Sequence, residues 1–258
     1  MTGATYALAD ATGTADVLAL TAKSSTATTA VNLAGLTVDG FETLNVTESS
    51  GSTTLGSGGS IGFTSAANLK TITLGGAYTA QLDISSNATK VVLVDASSAT
   101  AGETITTGGQ TGALVVTGSA QADTITVGAV GSGGSVSIAA GAGNDTIQGT
   151  QANIYASTSI DGGAGTDTLK LTDTGSVTIN DQTFKNVSGI EKLSFSGATG
   201  LTHIIGGYAN AIASANAGVL DITAAGLTGA ATVDASGLSG SNSLKLSLTD
   251  TGAGNGAI

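Results

Sequence analysis

The chain has 258 residues, 40 of them Gly, with 3% aromatic and 10% charged residues, against roughly 25% charged in an ordinary soluble domain. It has no Pro, Cys, Trp or Arg, and 18 acids against seven Lys give a net charge of −11. This composition excludes an aromatic-rich core, disulfides and Cys-ligated metals. The lack of clustered cations speaks against nucleic-acid binding, and low charge with 40% hydrophobic residues speaks against simple disorder.

The opening MTGATYALAD has neither the basic start nor the apolar run of a signal peptide. No later stretch approaches the roughly 18 apolar residues of a membrane span. A chain without Cys fits the cytosol or a bacterial exterior; an acidic, Gly/Thr/Ser-rich chain that also lacks Pro favours the exterior. Short runs alternate a small polar residue with Val, Ile or Leu: Thr71-Ile72-Thr73-Leu74, Ser135-Val136-Ser137-Ile138, Thr168-Leu169-Lys170-Leu171, Ser176-Val177-Thr178-Ile179 and Ser243 to Leu248. Period-two alternation marks strands with one buried face. Gly, Asn, Asp and Ser separate the runs, so the expectation is an all-β protein. Tyr208 to Ala217 is the one helical candidate, as a short helix or a loop. Thin strands of small residues favour a parallel β-solenoid or β-roll, whose narrow interior needs only stacked aliphatic side chains.

Two levels of repeat support this. Gly13 to Leu20 resembles Gly165 to Leu171, Asp39-Gly40-Phe41-Glu42-Thr43-Leu44 resembles Ser188-Gly189-Ile190-Glu191-Lys192-Leu193, and Val94-Asp95-Ala96-Ser97 resembles Val233-Asp234-Ala235-Ser236. These ordered matches give a solenoid copy over 1–117 and a second, diverged copy over 173–258. Between them, in 118–172, Asp123, Asp145 and Asp167 recur every 22 residues, each followed by Thr and then Ile or Leu. Strand-like runs at about 124–127, 135–139, 146–148, 154–160 and 168–172 make two strands and two turns per rung. The three Asp residues then stack on one edge.

Gly162 to Lys170 fits the nonapeptide G-G-x-G-x-D-x-U-x, where U is a large apolar residue. Ala140 to Gln148 fits except that Ala140 replaces the first Gly, and Gly118 to Ile125 keeps the first Gly, the Asp and the apolar anchor. Glycines permit turn dihedrals that aim carbonyls inward. The Asp adds a carboxylate, and the apolar residue pins the next strand. Calcium takes six to eight oxygens at about 2.3–2.6 Å, more than one loop supplies, so an ion belongs between two stacked loops. The candidate metal ligands are Gly141, Gly143, Asn144 and Asp145 with Gly163, Gly165 and Asp167. A weaker site uses Asp123, where Ser119 and Gln121 replace glycines. Asp16 and Asp161 are lesser candidates.

Other motifs carry less. Gly58-Gly59-Ser60-Ile61-Gly62 fits the nucleophile elbow G-x-S-x-G, but its partner would be His203, the only histidine, whose strand-like surroundings suggest a surface or half-buried strand residue. A single His excludes H-E-x-x-H. Thr26 to Thr29 lacks the regular Thr-x-Thr ladder of ice-binding faces and reads as a solvated turn. No catalytic residues and no enzyme activity are expected.

The nonapeptides, with the G-[FI]-E-[TK]-L segments and D-A-S turns, resemble the calcium-binding RTX repeats of bacterial surface-layer proteins and related type I-secreted surface proteins. The resemblance implies Ca2+ as the bound ion, an extracellular location on the bacterial surface, and β-solenoid domains that assemble into a lattice. Family chains are normally much longer and carry a membrane anchor and a C-terminal secretion signal, neither of which is recognised here. The expected function is a calcium-stabilised structural protein that forms a surface array or filament, with an outer-membrane glycan as a candidate partner. An adhesin module or an accessory domain of an RTX enzyme are the alternatives. The ends, Met1 to Ala9 and Thr251 to Ile258, show no Pro-rich or charged cap, so end-to-end self-association is expected.

Overall fold

The computed structural model describes residues 5–6, 13–22, 33–48, 54–55 and 61–250. Thr26 to Thr29, the first three residues of the Gly58–Gly62 motif, Thr251 to Ile258 and most of Met1 to Ala9 lie outside these residues.

The chain winds as a parallel β-solenoid. One wall is an eight-stranded sheet running through Val17–Ala22, Thr43–Glu48, Thr71–Gly76, Leu93–Ala99, Ala113–Thr117, Ser135–Ala139, Ser159–Asp161 and Val187–Ser188. The other is nine-stranded, running from Thr54–Leu55 through Thr79–Asp83, Thr104–Thr106, Thr124–Val127, Thr146–Gly149, Thr168–Leu171, Lys192–Ser196 and Val219–Leu227 to Ser243–Asp250. Every described strand pair is parallel, and successive strands of a wall come from successive rungs. The pairing runs through both 117/118 and 172/173.

The period-two pattern becomes files of aliphatic side chains along the axis. Register places Leu18, Leu44, Ile72, Val94, Val116, Ile138, Ile160 and Val187 in one file. Leu82, Ile105, Ile125, Ile147, Leu169, Leu193, Ile222 and Leu246 form the facing one. Interior members are buried, whereas the end members Leu18 and Val187 are partly covered and Leu246 is 36% exposed. Each buried aliphatic contributes about 1.5–3 kcal/mol, so a chain this poor in aromatics still builds a core, one residue per rung per file.

The expected strands at 124–127 and 135–139 are present to the residue, and those at 146–148 and 168–172 within one. The expected strand at 154–160 is not. Residues Gln151–Ala156 form a helix, α1, and the strand shrinks to Ser159–Asp161. Thr150 supplies the reason: its side chain accepts the Asn153 N–H as an N-cap, and Ile154 turns into the core. Tyr208 to Ala217 resolves as a helix, α2, over Gly207–Ala215. Asp181, one rung earlier, accepts N–H groups of Gly206, Tyr208 and Ala209 at 2.8–3.1 Å and caps it. Asp181 opens a 3-10 turn, Asp181–Phe184, that packs between α1 and α2, so three successive rungs carry helical turns along one side. Among the described residues no helix is long and apolar enough to cross a membrane.

Residues of the long-range sequence matches make like local contacts. The Asp16 N–H donates to Glu42 Oε2 at 2.9 Å, and the Asp167 N–H to Glu191 Oε2 at 2.7 Å. Asp95 and Asp234 each accept the N–H two residues on at 2.9 Å, in matching turns.

His203 departs from expectation. It sits on the strand Ala198–Ile204 of a three-stranded third sheet, but it is wholly buried, and Ile204 is the residue facing outward. Its ring packs against Phe184 and Phe195 at centroid distances of 5.7 and 5.3 Å, and neither ring nitrogen has a hydrogen-bond partner. The strand's alternation with Leu201 turns it inward.

Candidate metal centre

The loops 140–145 and 162–167 lie directly above one another. Ala142 and Ala164 form a parallel bridge, the Ala164 N–H donates to the Gly141 carbonyl at 2.9 Å, and the Gly143 N–H donates to the Ala164 carbonyl at 2.9 Å. Asn144 Oδ1 accepts the Thr166 N–H at 2.9 Å, clipping the loops at their rim. Glycine is required by both dihedral and space. Gly163 and Gly165 have φ of +96° and +145°, and a Cβ there would lie 2.0 Å from the Gly141 carbonyl oxygen and 1.6 Å from that of Gly143. The loop at Gly118 to Asp123 stacks on the other side, the Ala142 N–H donating to the Ser119 carbonyl at 3.2 Å.

Asp123, Asp145 and Asp167 stack as expected from their spacing, and all three are buried, at 2%, 1% and 0% exposure. Each carboxylate reaches back one rung to the backbone. Asp145 Oδ1 accepts the Asp123 N–H at 2.7 Å, and Asp167 Oδ1 accepts the Asp145 N–H at 2.7 Å. The file continues beyond the nonapeptides. Glu191 takes the Asp167 N–H, Asp123 Oδ1 takes the Glu103 N–H, and Glu103 takes the Ala80 N–H. Five carboxylates thus form one ladder, with a side-chain acceptor satisfying a buried backbone donor at every step. Glu103 and Glu191 were not among the sequence candidates. Their signal is an acid–polar–apolar triplet, Glu103-Thr104-Ile105 and Glu191-Lys192-Leu193, equivalent to Asp145-Thr146-Ile147.

The second carboxylate oxygen separates the loops. At Asp123, Oδ2 accepts the Ser119 backbone N–H at 2.6 Å and Oδ1 the Ser119 hydroxyl at 3.0 Å, so both oxygens of this carboxylate are partnered. At Asp145 and Asp167, in the loops that keep the motif, Oδ2 is buried without a hydrogen-bond partner. Asp16 Oδ2 is likewise buried and unpartnered. Asp161 lies half-buried at the strand end, and its Oδ1 accepts the Gly163 N–H at 3.3 Å.

Buried carboxylates this close raise one another's affinity for a proton. Burial, then the charges of Asp123 and Asp167, push Asp145 up to about 6 against the lowering effect of its backbone hydrogen bond. Burial also raises Asp123, and burial followed by Glu191 and Asp161 raises Asp167. The arrangement calls for positive charge, as protons or as a cation. Among the described residues no three His, Cys, Asp or Glu side chains converge as a ready-made metal cluster. Gly141, Gly143, Gly163 and Gly165 are brought to the stack with Asp145 and Asp167, while Asn144 Oδ1 is committed to Thr166 and Asp123 to Ser119. No family model, curated protein or solved structure matches the chain.

Proposed function

We propose that this chain is a calcium-stabilised extracellular structural protein that self-assembles into a bacterial surface array or filament. The observation that carries the calcium reading is the pair of buried, unpartnered oxygens, Asp145 Oδ2 and Asp167 Oδ2, on the two stacked loops that keep the nonapeptide. A hard divalent cation suits an all-oxygen donor set with clustered negative charge. Asp145 and Asp167 would hold it, with loop carbonyls and water completing the shell. The RTX resemblance supports Ca2+ among such cations and an extracellular location, where calcium is plentiful.

The self-assembly reading rests on the ends of the walls. Among the described residues, Val17–Ala22 pairs on one edge, with Thr43–Glu48, and Ser243–Asp250 on one edge, with Val219–Leu227. Val17 is 54% exposed, and Leu246 is the open end of its aliphatic file. A strand edge without a partner is a template for pairing with another copy, and a head-to-tail contact that does not close extends indefinitely. Calcium favours this by ordering the rungs and offsetting part of the −11 charge.

The test is light scattering with negative-stain microscopy across a calcium titration. Sheets or filaments should appear in millimolar calcium and disappear with chelator, and Asp145→Ala and Asp167→Ala should assemble poorly. A protein that stays monomeric at high concentration in millimolar calcium overturns the assembly reading and favours the adhesin module.

A further inference from the structure

We infer that the groove between α1 and the 3-10 turn Asp181–Phe184 is a binding site for an uncharged saccharide. The cavity is about 560 Å³ and is lined by Gln151, Ala152, Tyr155, Asn180, Gln182 and Thr183, a size within the usual range for a small-molecule site. The lining joins one aromatic ring to three carboxamides and a hydroxyl, without an ionised group. A carboxamide donates and accepts at once, matching neighbouring sugar hydroxyls. An exposed tyrosine ring offers an apolar face to the C–H face of a pyranose and keeps a polar tip.

The groove is a built feature. Helix α1 fills the connection between Thr146–Gly149 of one wall and Ser159–Asp161 of the other, and its Tyr155 is 48% exposed. Lys185 lies over the ring, its Nζ 3.8 Å from the centroid, and this cation–π contact favours the ring's position. Gln151 Nε2 donates to the buried Thr183 hydroxyl at 3.1 Å, which sets the Gln151 amide plane. The Gln151 backbone N–H is taken by Asp173 at 2.7 Å, which occupies that carboxylate with the helix rather than the groove. Asn180 and Gln182 stay exposed. An apolar ligand would strand these amides without hydrogen-bond partners. An anionic ligand meets a lining without a charged side chain on a chain of net charge −11, the Lys185 ammonium being engaged with the Tyr155 ring. An uncharged saccharide satisfies both limits.

The site requires neither calcium at the stacked loops nor assembly, so it fails or stands apart from the function proposed above. The experiment is a broad array of immobilised neutral and acidic glycans, probed with the full chain and with Tyr155→Ala, Tyr155→Phe and Gln182→Ala. Neither Tyr155 nor Gln182 takes part in the aliphatic files, and each variant is checked by its melting temperature. The wild type should bind neutral glycans; Tyr155→Ala and Gln182→Ala should lose at least tenfold in affinity, and Tyr155→Phe should retain binding because stacking survives. Failure to bind any glycan, binding confined to acidic glycans, or binding insensitive to both Tyr155→Ala and Gln182→Ala overturns the proposal.

Discussion

In the presence of chelator the protein should become more stable as pH falls from about 6.5 to about 4, the reverse of ordinary acid denaturation. Asp145 titrates at about 6 in the fold against 3.8 outside it, so the folded state binds the proton more tightly in that window. Its contribution is fully present below the unfolded value and is lost as pH rises through the folded one. Asp123 and Asp167 are displaced in the same direction. His203 opposes them. Burial among apolar side chains pushes it down to about 4 from 6.5. Its contribution of about 3 kcal/mol is therefore present above pH 6.5 and lost as pH falls through 4. The three carboxylates are displaced one way and His203 the other, so His203→Leu, which removes the opposing group, should steepen the acid gain. In millimolar calcium the trend should weaken or reverse, because protons then compete with the cation. Melting curves across pH, with chelator and with calcium, check this. A stability that falls steadily on acidification in chelator contradicts the crowded-carboxylate account.

The ladder should respond differently to two substitutions of the same residues. Asp145→Ala leaves the buried Asp123 N–H without its acceptor, and Asp167→Ala does the same to the Asp145 N–H. Each orphaned donor costs about 1–3 kcal/mol, so the double Ala variant should lose a large part of a typical 5–15 kcal/mol stability. Asp145→Asn and Asp167→Asn keep a side-chain oxygen for those donors and remove a buried charge that lacks a counterion. In chelator the Asn variants should match or exceed the wild type. Urea denaturation ranks the series, and Ala variants as stable as their Asn counterparts would show that the inter-rung bonds contribute little.

Much of this architecture is legible in the sequence because a solenoid is periodic. Thr124-Ile125, Thr146-Ile147 and Thr168-Leu169 recur at one spacing, and that spacing is the register in the sheet. The pairing of the two nonapeptide loops follows from the same period. Where the period slips, the sequence says less. Glu103 and Glu191 occupy the same ladder as the three Asp residues, but they stand 20 residues before Asp123 and 24 after Asp167, so a 22-residue ruler misses them. The inward aim of the carboxylates was also hidden. An Asp in a Gly-rich turn looks solvated, and only the stacking of one rung on the next supplies the backbone donor that draws it inside. At 154–160 the apolar spacing of Ile154 and Ile160 mimics a strand, and the Thr150 cap decides for a helix over the first part. His203 was misplaced because the solenoid gains a third wall in its last rungs, which short-range alternation does not reveal.

The most direct test of the central claim, that the stacked loops hold a calcium ion which stabilises the solenoid, is the melting temperature with excess calcium and with chelator, for the wild type and for the double variant Asp145→Asn/Asp167→Asn. One site filled at 100 times its dissociation constant adds about 2.7 kcal/mol, about 5–10 °C for a domain of this size. The account predicts that rise in the wild type and none in the double variant, which keeps the ladder bonds but loses the charge. A wild type whose melting temperature is the same in calcium and chelator, or a double variant that gains as much as the wild type, contradicts it.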